Sequence, residues 1–186
     1  MKRDNPWVTC SSRIAYQNYW MSIREDKVVR PDGRDGVYAF MQKPAAVGIV
    51  ALNAENEIYL VGQYRYPTQQ YSWEIIEGGL EEGEEIFAGA KRELKEETGI
   101  KASSWIELGK PVQISNCLSM ELGYLYLAQE LQSGESRPDA TEVLEIKKMD
   151  FGQALELVHS GQISDSLSII GILRAEYYLK QRRMLS

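Results

Sequence analysis

The chain has 186 residues, 44% of them hydrophobic, and its 27 acidic side chains outnumber 21 basic ones for a formal charge of −6. That length supports one sizeable core and leaves little room for a second independent one. The acidic balance excludes a broad cationic face for nucleic acid or an anionic membrane, while a bound cation and a few arginines can still receive a small phosphate compound. The opening MKRDNPWVT has no apolar stretch behind it, and the longest apolar run, residues 45–52, is far short of a membrane span. A cytoplasmic protein is expected. Cys10 and Cys117 are isolated and read as ordinary thiols. The single histidine, His159, lies in an apolar helical pattern near a glycine and reads as a surface or helix-end residue, and one histidine argues against Ser-His or Cys-His chemistry.

Residues 13–30 alternate apolar and polar side chains and run into PDGRDG at 31–36, so an N-terminal hairpin with a return strand at 37–41 is expected. Residues 1–44 are read as a β extension packed on the same domain, and 45–186 as the main body. AAVGIVAL at 45–52 and IYLVGQY at 58–64 read as buried strands joined by the polar turn NAENE. A short strand at 73–76 leads into a glycine pair, and a helix follows. Residues 105–108, 123–128 and 143–147 read as further strands. Asp150 is a plausible N-cap for a helix carrying Phe151, Leu155, Leu157 and Val158 that stops at Gly161. Asp165 caps a last helix with Leu167, Ile170, Ile172, Leu173 and Tyr177, and Lys180, Arg182 and Arg183 suit the negative pole at its end. Strands followed by helices give an α+β chain or a helix–sheet–helix sandwich.

The most informative stretch is 78–100, GGLEEGEEIFAGAKRELKEETGI, with seven glutamates and one arginine. On a helix Glu93, Glu96 and Glu97 fall in one sector, at i, i+3 and i+4, so three carboxylates are expected to face one point. Such a cluster is costly unless a hard cation sits in it, and oxygen-only ligands select Mg²⁺, Mn²⁺ or Ca²⁺ over zinc. Ile86, Phe87, Ala90 and Leu94 form the stripe expected to pack on the sheet. Gly78 and Gly79 are expected to let the backbone take unusual dihedrals and a phosphate or hydrated ion come close. Gly89, one turn before Glu93, either keeps space open above the carboxylates or is merely tolerated.

This stretch resembles the Nudix box, in which G, five residues, E, seven residues, REU, one residue, EE, one residue and GU follow in order, U being aliphatic. Gly78, Glu84, Arg92, Glu93, Leu94, Glu96, Glu97, Gly99 and Ile100 fill every fixed position. The resemblance implies a Nudix α/β/α sandwich with a mixed sheet, plus N-terminal antiparallel strands, and hydrolysis of a pyrophosphate bond with Mg²⁺ or Mn²⁺. It implies Glu93 and Glu97 as main metal ligands, Glu96 as a further ligand or base, and the carbonyl of Glu77 as another ligand. Arg92 is then structural, pointing away from the metal and pairing with an acidic group such as Glu84, and Gly99 is a structural residue of the motif. The general base is Glu142, in a loop position that the sugar-nucleotide branch uses, or Glu96; Glu145 is a weaker candidate.

The flanks QYRYP at 63–67 and WEIIEGG at 73–79, with the N-terminal extension, resemble the ADP-ribose pyrophosphatase and nucleoside diphosphate sugar hydrolase branch. Arg65 either meets a phosphate or pairs with Glu74. The branch implies a homodimer with crossed N-terminal strands, in which Tyr19 or Trp20 stacks on a nucleobase beside Arg24, unless these residues only pack an interface. Ile76 and Glu77 depart from the branch's usual residues, leaving the sugar open. Alternatives are a nucleoside triphosphate or dinucleoside polyphosphate hydrolase, or a non-catalytic nucleotide-sugar sensor.

Overall fold

The computed structural model describes residues 4–134 and 144–185. They divide into two compact units, one holding the N-terminal 44 residues with 113–122 and the other 45–112 with the rest of the chain. The grouping of 113–122 with the N-terminal strands has no counterpart in the sequence reading.

In the first unit, β1 (Val8–Gln17), β2 (Ser22–Val29) and β3 (Asp35–Gln42) form an antiparallel sheet in the order β1-β2-β3. The alternating stretch 13–30 is broken by a turn, so three strands stand where a hairpin is expected. The Asn18 side chain accepts from the amides of Trp20 and Met21, both at 2.9 Å, which reverses the chain where alternation alone showed no stop. The anticipated PDGRDG turn does join β2 to β3.

The second unit contains β4 (Ala46–Leu52), β5 (Glu57–Arg65), β6 (Gln70–Glu74), β7 (Ile76–Gly79), α1 (Ile86–Thr98), β8 (Lys101–Glu107), β10 (Leu122–Gln132), β11 (Glu145–Asp150), α2 (Phe151–His159) and α3 (Ser166–Leu185), with the short β9 (Val112–Gln113) before β10. Its strands run β11-β5-β4-β10-β8, with β6 beside β5 and β7 beside β4. β4 and β10 are parallel and the pairs around them antiparallel, so the sheet is mixed. β4 is buried on both faces, which is why it reads as an unbroken apolar run.

Alternation along β4 assigns the two layers. Val47, Ile49 and Ala51 join Ala90 and Leu94 of α1 in one cluster. Gly48 and Val50 face the other way, where a Cβ on Gly48 would meet Leu167 of α3 and one on Gly171 of α3 would meet Val50. Helices therefore cover both faces, the α/β/α arrangement expected. Asp150 caps α2 by accepting from the amides of Gly152 and Gln153, and Asp165 accepts from Ser168 at the start of α3. His159 lies exposed at the end of α2.

Candidate active site on the box helix

Local chemistry explains why α1 starts and stops where it does. The Glu85 carboxylate accepts from the amide of Ala88 at the N-terminus, and Gly99 takes the left-handed conformation (φ 73°) that closes the last turn onto the carbonyl of Lys95. Ala90 and Leu94 are fully buried, and the edge of the Phe87 ring meets Trp105 at 5.4 Å between centroids. The apolar stripe thus pins the helix, and the polar face follows from helical spacing.

On that face Glu93 and Glu97 are buried, 9% and 4% exposed, whereas the Glu96 side chain is 45% exposed. Arg92 lies among them. Its Nε and Nη2 donate to the two oxygens of Glu84, each at 2.8 Å, its Nη1 donates to Glu93 Oε1 at 2.8 Å and Glu96 Oε2 at 2.9 Å, and its Nη2 also reaches the carbonyl of Gly79 at 3.0 Å. The pairing with Glu84 is as expected, but Arg92 does not point away from the carboxylates. Its fork is wide enough to serve Glu84 and the helix carboxylates together, which spacing alone does not show. Arg92 holds the Glu84 carboxyl down to about 2, well below its usual range, and the amide of Glu81 adds to the effect.

Gly78 and Gly79 do not take the unusual dihedrals expected of them. Gly78 and Gly79 are ordinary strand residues of β7, not among the positive-φ glycines. A Cβ on Gly78 would stand 1.9 Å from the Glu93 carboxyl carbon, so this glycine makes room for Glu93 itself. Gly79 faces open space. Gly89 keeps no space open above the carboxylates: a Cβ there would meet Leu80 at 2.3 Å and Glu84 at 3.0 Å, so its bareness seats the loop that carries Glu84.

Among the described residues no three His, Cys, Asp or Glu side chains form a group arranged to hold an ion. The expected convergence of all three of Glu93, Glu96 and Glu97 is not observed among these residues: Glu96 shares Arg92 Nη1 with Glu93, but its side chain is otherwise largely open to solvent. What the structure does provide is two buried carboxylates one turn apart, Glu93 and Glu97, with Gly78 directly beside Glu93. That donor chemistry fits a hard divalent cation.

The remaining candidates sit as follows. Arg65 forks onto Glu74, its Nε 3.0 and 3.1 Å from the two oxygens and its Nη2 bonded to Oε2, so the pairing alternative describes the structure. The Glu77 side chain bonds to Ser168, and burial, with the nearby Asp165 carboxylate, pushes its carboxyl well above the usual range. Sequence reasoning considered only the carbonyl of this residue and missed Ser168, whose one signal is a polar residue inside the run LSIIGIL. Glu145 is exposed and accepts from the Tyr71 hydroxyl at 2.9 Å. Glu142 lies outside the described residues. In the first unit Tyr19 and Trp20 are 94% and 71% exposed with perpendicular rings 5.8 Å apart, and Arg24 is engaged by Asp26 and Ser12.

Comparison with known proteins agrees with this architecture. Residues 42–166 match the NUDIX domain, and residues 7–41 match the nucleoside diphosphate sugar hydrolase N-terminal domain. The methanol dehydrogenase activator of Bacillus methanolicus is 30% identical over 82% of the chain and 83% of that protein. The ADP-ribose pyrophosphatase of Bacillus subtilis (strain 168) is 32% identical over 79% of the chain and 80% of that protein. The crystal structure of an ADP compounds hydrolase superposes with a TM-score of 0.84 at 20% identity, covering 98% of each chain, and so shares the fold. With a complete box running from β7 through α1 and a NUDIX match across two thirds of its length, the chain belongs to the Nudix family.

Proposed function

We propose that this Nudix hydrolase splits the pyrophosphate bond of ADP-ribose or another nucleoside diphosphate sugar, using Mg²⁺ or Mn²⁺, into a nucleoside monophosphate and a sugar phosphate. The observation that carries the reading is the buried pair Glu93 and Glu97 within a complete box, Glu93 lying against Gly78. The match of residues 7–41 to a nucleoside diphosphate sugar hydrolase N-terminal domain supports the substrate class, as does similarity to a protein named for ADP-ribose.

Glu93 and Glu97, with the carbonyl of Glu77 and with Glu96 once it leaves Arg92, are the proposed holders of the cation. When bound, such an ion neutralises phosphate oxygens and lowers the pKa of a coordinated water. Arg92 and Glu84 fix the loop before the helix, and the helix backbone holds Glu93 and Glu97 one turn apart. Glu142 or Glu96 takes the proton of the attacking water. Arg65 stays with Glu74 as a brace of the β5–β6 hairpin, or offers its outer face to a phosphate.

Tyr19, Trp20 and Arg24 are proposed to reach substrate in a homodimer with exchanged N-terminal strands. The edge strand β1, exposed along its whole length with Val8, Ile14 and Tyr16 uncovered, suits such a partner. The exposed, unbridged thiols of Cys10 and Cys117 suit the reducing cytoplasm. A regulatory role is the second reading, favoured by the name of the Bacillus methanolicus relative. Incubating the protein with Mg²⁺ and a panel of nucleoside diphosphate sugars, nucleoside triphosphates and dinucleoside polyphosphates separates these readings. Paired monophosphate and sugar phosphate from the first group support the proposal, and no turnover of that group defeats it.

A further inference from the structure

The strand that carries the glycines changes partner at Ile75. Up to Glu74 the chain pairs with β5, where Glu74 lies opposite Val61, and from Ile76 onward it pairs with β4, where Ile76 lies opposite Ile49. Ile75 belongs to neither register, and its buried amide needs another acceptor. The hydroxyl of Ser168, in the first turn of α3, supplies it at 3.0 Å. Having accepted from Ile75, that hydroxyl directs its own hydrogen to Glu77 Oε1 at 2.7 Å, while the Ser168 amide is held by Asp165 Oδ2 at 2.8 Å. Ser168 is fully buried, and the Asp165 carboxylate lies near that of Glu77.

The geometric consequence reaches the box. β7 is four residues long, and its sequence, IEGG, ends in two residues with no side chain to fix its position. Its register places Gly78 opposite Val47, under the Glu93 carboxylate. A slip of one residue in one direction would bring the Glu77 side chain toward the place Glu93 occupies, and a slip in either direction would turn every residue of the strand to its other face. The register therefore has to be held from outside, and both ends of the hydroxyl's hydrogen bonds fall on the two residues that flank Ile76.

We propose that Ser168, oriented by Asp165, is a positioning residue for the box: by pinning Ile75 and Glu77 it sets the register of β7, and through it the seat of Glu93 and of the Glu77 carbonyl. This rests on the reading of those groups as holders of a divalent cation. Ser168 touches neither ion nor substrate and acts through the strand.

The test compares wild type, Ser168→Ala and Ser168→Thr by Mn²⁺ titration, reading free Mn²⁺ by electron paramagnetic resonance, alongside steady-state kinetics. Ser168→Ala leaves the Ile75 amide and the Glu77 carboxyl each short of a buried partner. Mn²⁺ binding is expected to weaken at least about fivefold and kcat to fall at least about tenfold, with KM for the nucleotide sugar within about twofold. Ser168→Thr keeps the hydroxyl and restores Mn²⁺ affinity. Wild-type Mn²⁺ affinity in a folded Ser168→Ala protein overturns the proposal, as does a threonine variant that binds as weakly as the alanine one, or a wild-type protein that takes up no Mn²⁺. If Ser168→Ala does not fold, Ser168→Cys keeps the volume, weakens both hydrogen bonds and carries the same comparison. Failure of the substrate panel with intact Mn²⁺ binding would refute the hydrolase reading alone and leave the titration to decide the role of Ser168.

Discussion

Replacing Gly78 by alanine separates the seating of Glu93 from the stability of the fold. The new Cβ would stand 1.9 Å from the Glu93 carboxyl carbon and 2.1 and 2.3 Å from its oxygens. Uncharged contact begins at about 3.5 Å, so the carboxylate has to retreat by roughly 1.5 Å. The obstacle is the far end of a flexible side chain rather than backbone, so the strand survives and the penalty to folding stays near 1 kcal/mol, the low end for overpacking. A displacement of about 1 Å at a reacting centre can cost about a hundredfold in rate. We therefore expect Gly78→Ala to melt close to wild type while losing about a hundredfold in kcat on a nucleoside diphosphate sugar, with weaker Mn²⁺ binding. Gly79→Ala is the control: nothing lies within 4 Å of its added methyl, so it should leave Mn²⁺ affinity unchanged. Thermal melts, Mn²⁺ titration and initial rates on both variants decide the matter. Wild-type kcat and Mn²⁺ affinity in Gly78→Ala would refute the argument that this glycine seats Glu93.

Two other perturbations have effects that follow from the geometry. Because Arg92 holds Glu84 at about 2, below the ordinary 4.5, this pair contributes its full stability above about pH 4.5 and loses it as pH falls toward 2. Solvent screening limits the contribution to about 1–2 kcal/mol, and urea unfolding at pH 6 and pH 3 should show a smaller acid loss in Glu84→Gln than in wild type; equal losses would contradict the pairing. Asp150→Ala leaves the amides of Gly152 and Gln153 uncapped and should cost about 1 kcal/mol in urea unfolding, a result that an unchanged midpoint would exclude.

Much of the fold was legible because the local signals were redundant. The box helix has an apolar stripe, a glycine at its left-handed end and a charged face, and β4 is apolar throughout because helices cover both of its sides. The caps at Asp150 and Asp165 lie where short acidic side chains precede apolar runs. The missed features depend on groups far apart in the chain or on a single side chain. The turn at 18–21 is made by one asparagine bonding to its own backbone, which alternation cannot reveal. The partner switch at Ile75 depends on a serine 93 residues away. At the site, the box spacing named the carboxylates, but not that Arg92 would span Glu84, Glu93 and Glu96, nor that Gly78 clears space for Glu93, since a side-chain fork and a close backbone approach leave no periodic trace.

The proposed role of the box-helix carboxylates is to hold the ion that promotes cleavage of a nucleoside diphosphate sugar. Its most direct test is Glu97→Gln, which keeps the shape of a side chain only 4% exposed while removing its charge. With Mg²⁺ and ADP-ribose or the best substrate of the panel, we expect wild type to release monophosphate and sugar phosphate in equal amounts. The variant should melt near wild type and lose at least about a hundredfold in kcat together with its Mn²⁺ affinity. A folded Glu97→Gln protein that turns over at the wild-type rate would contradict the account.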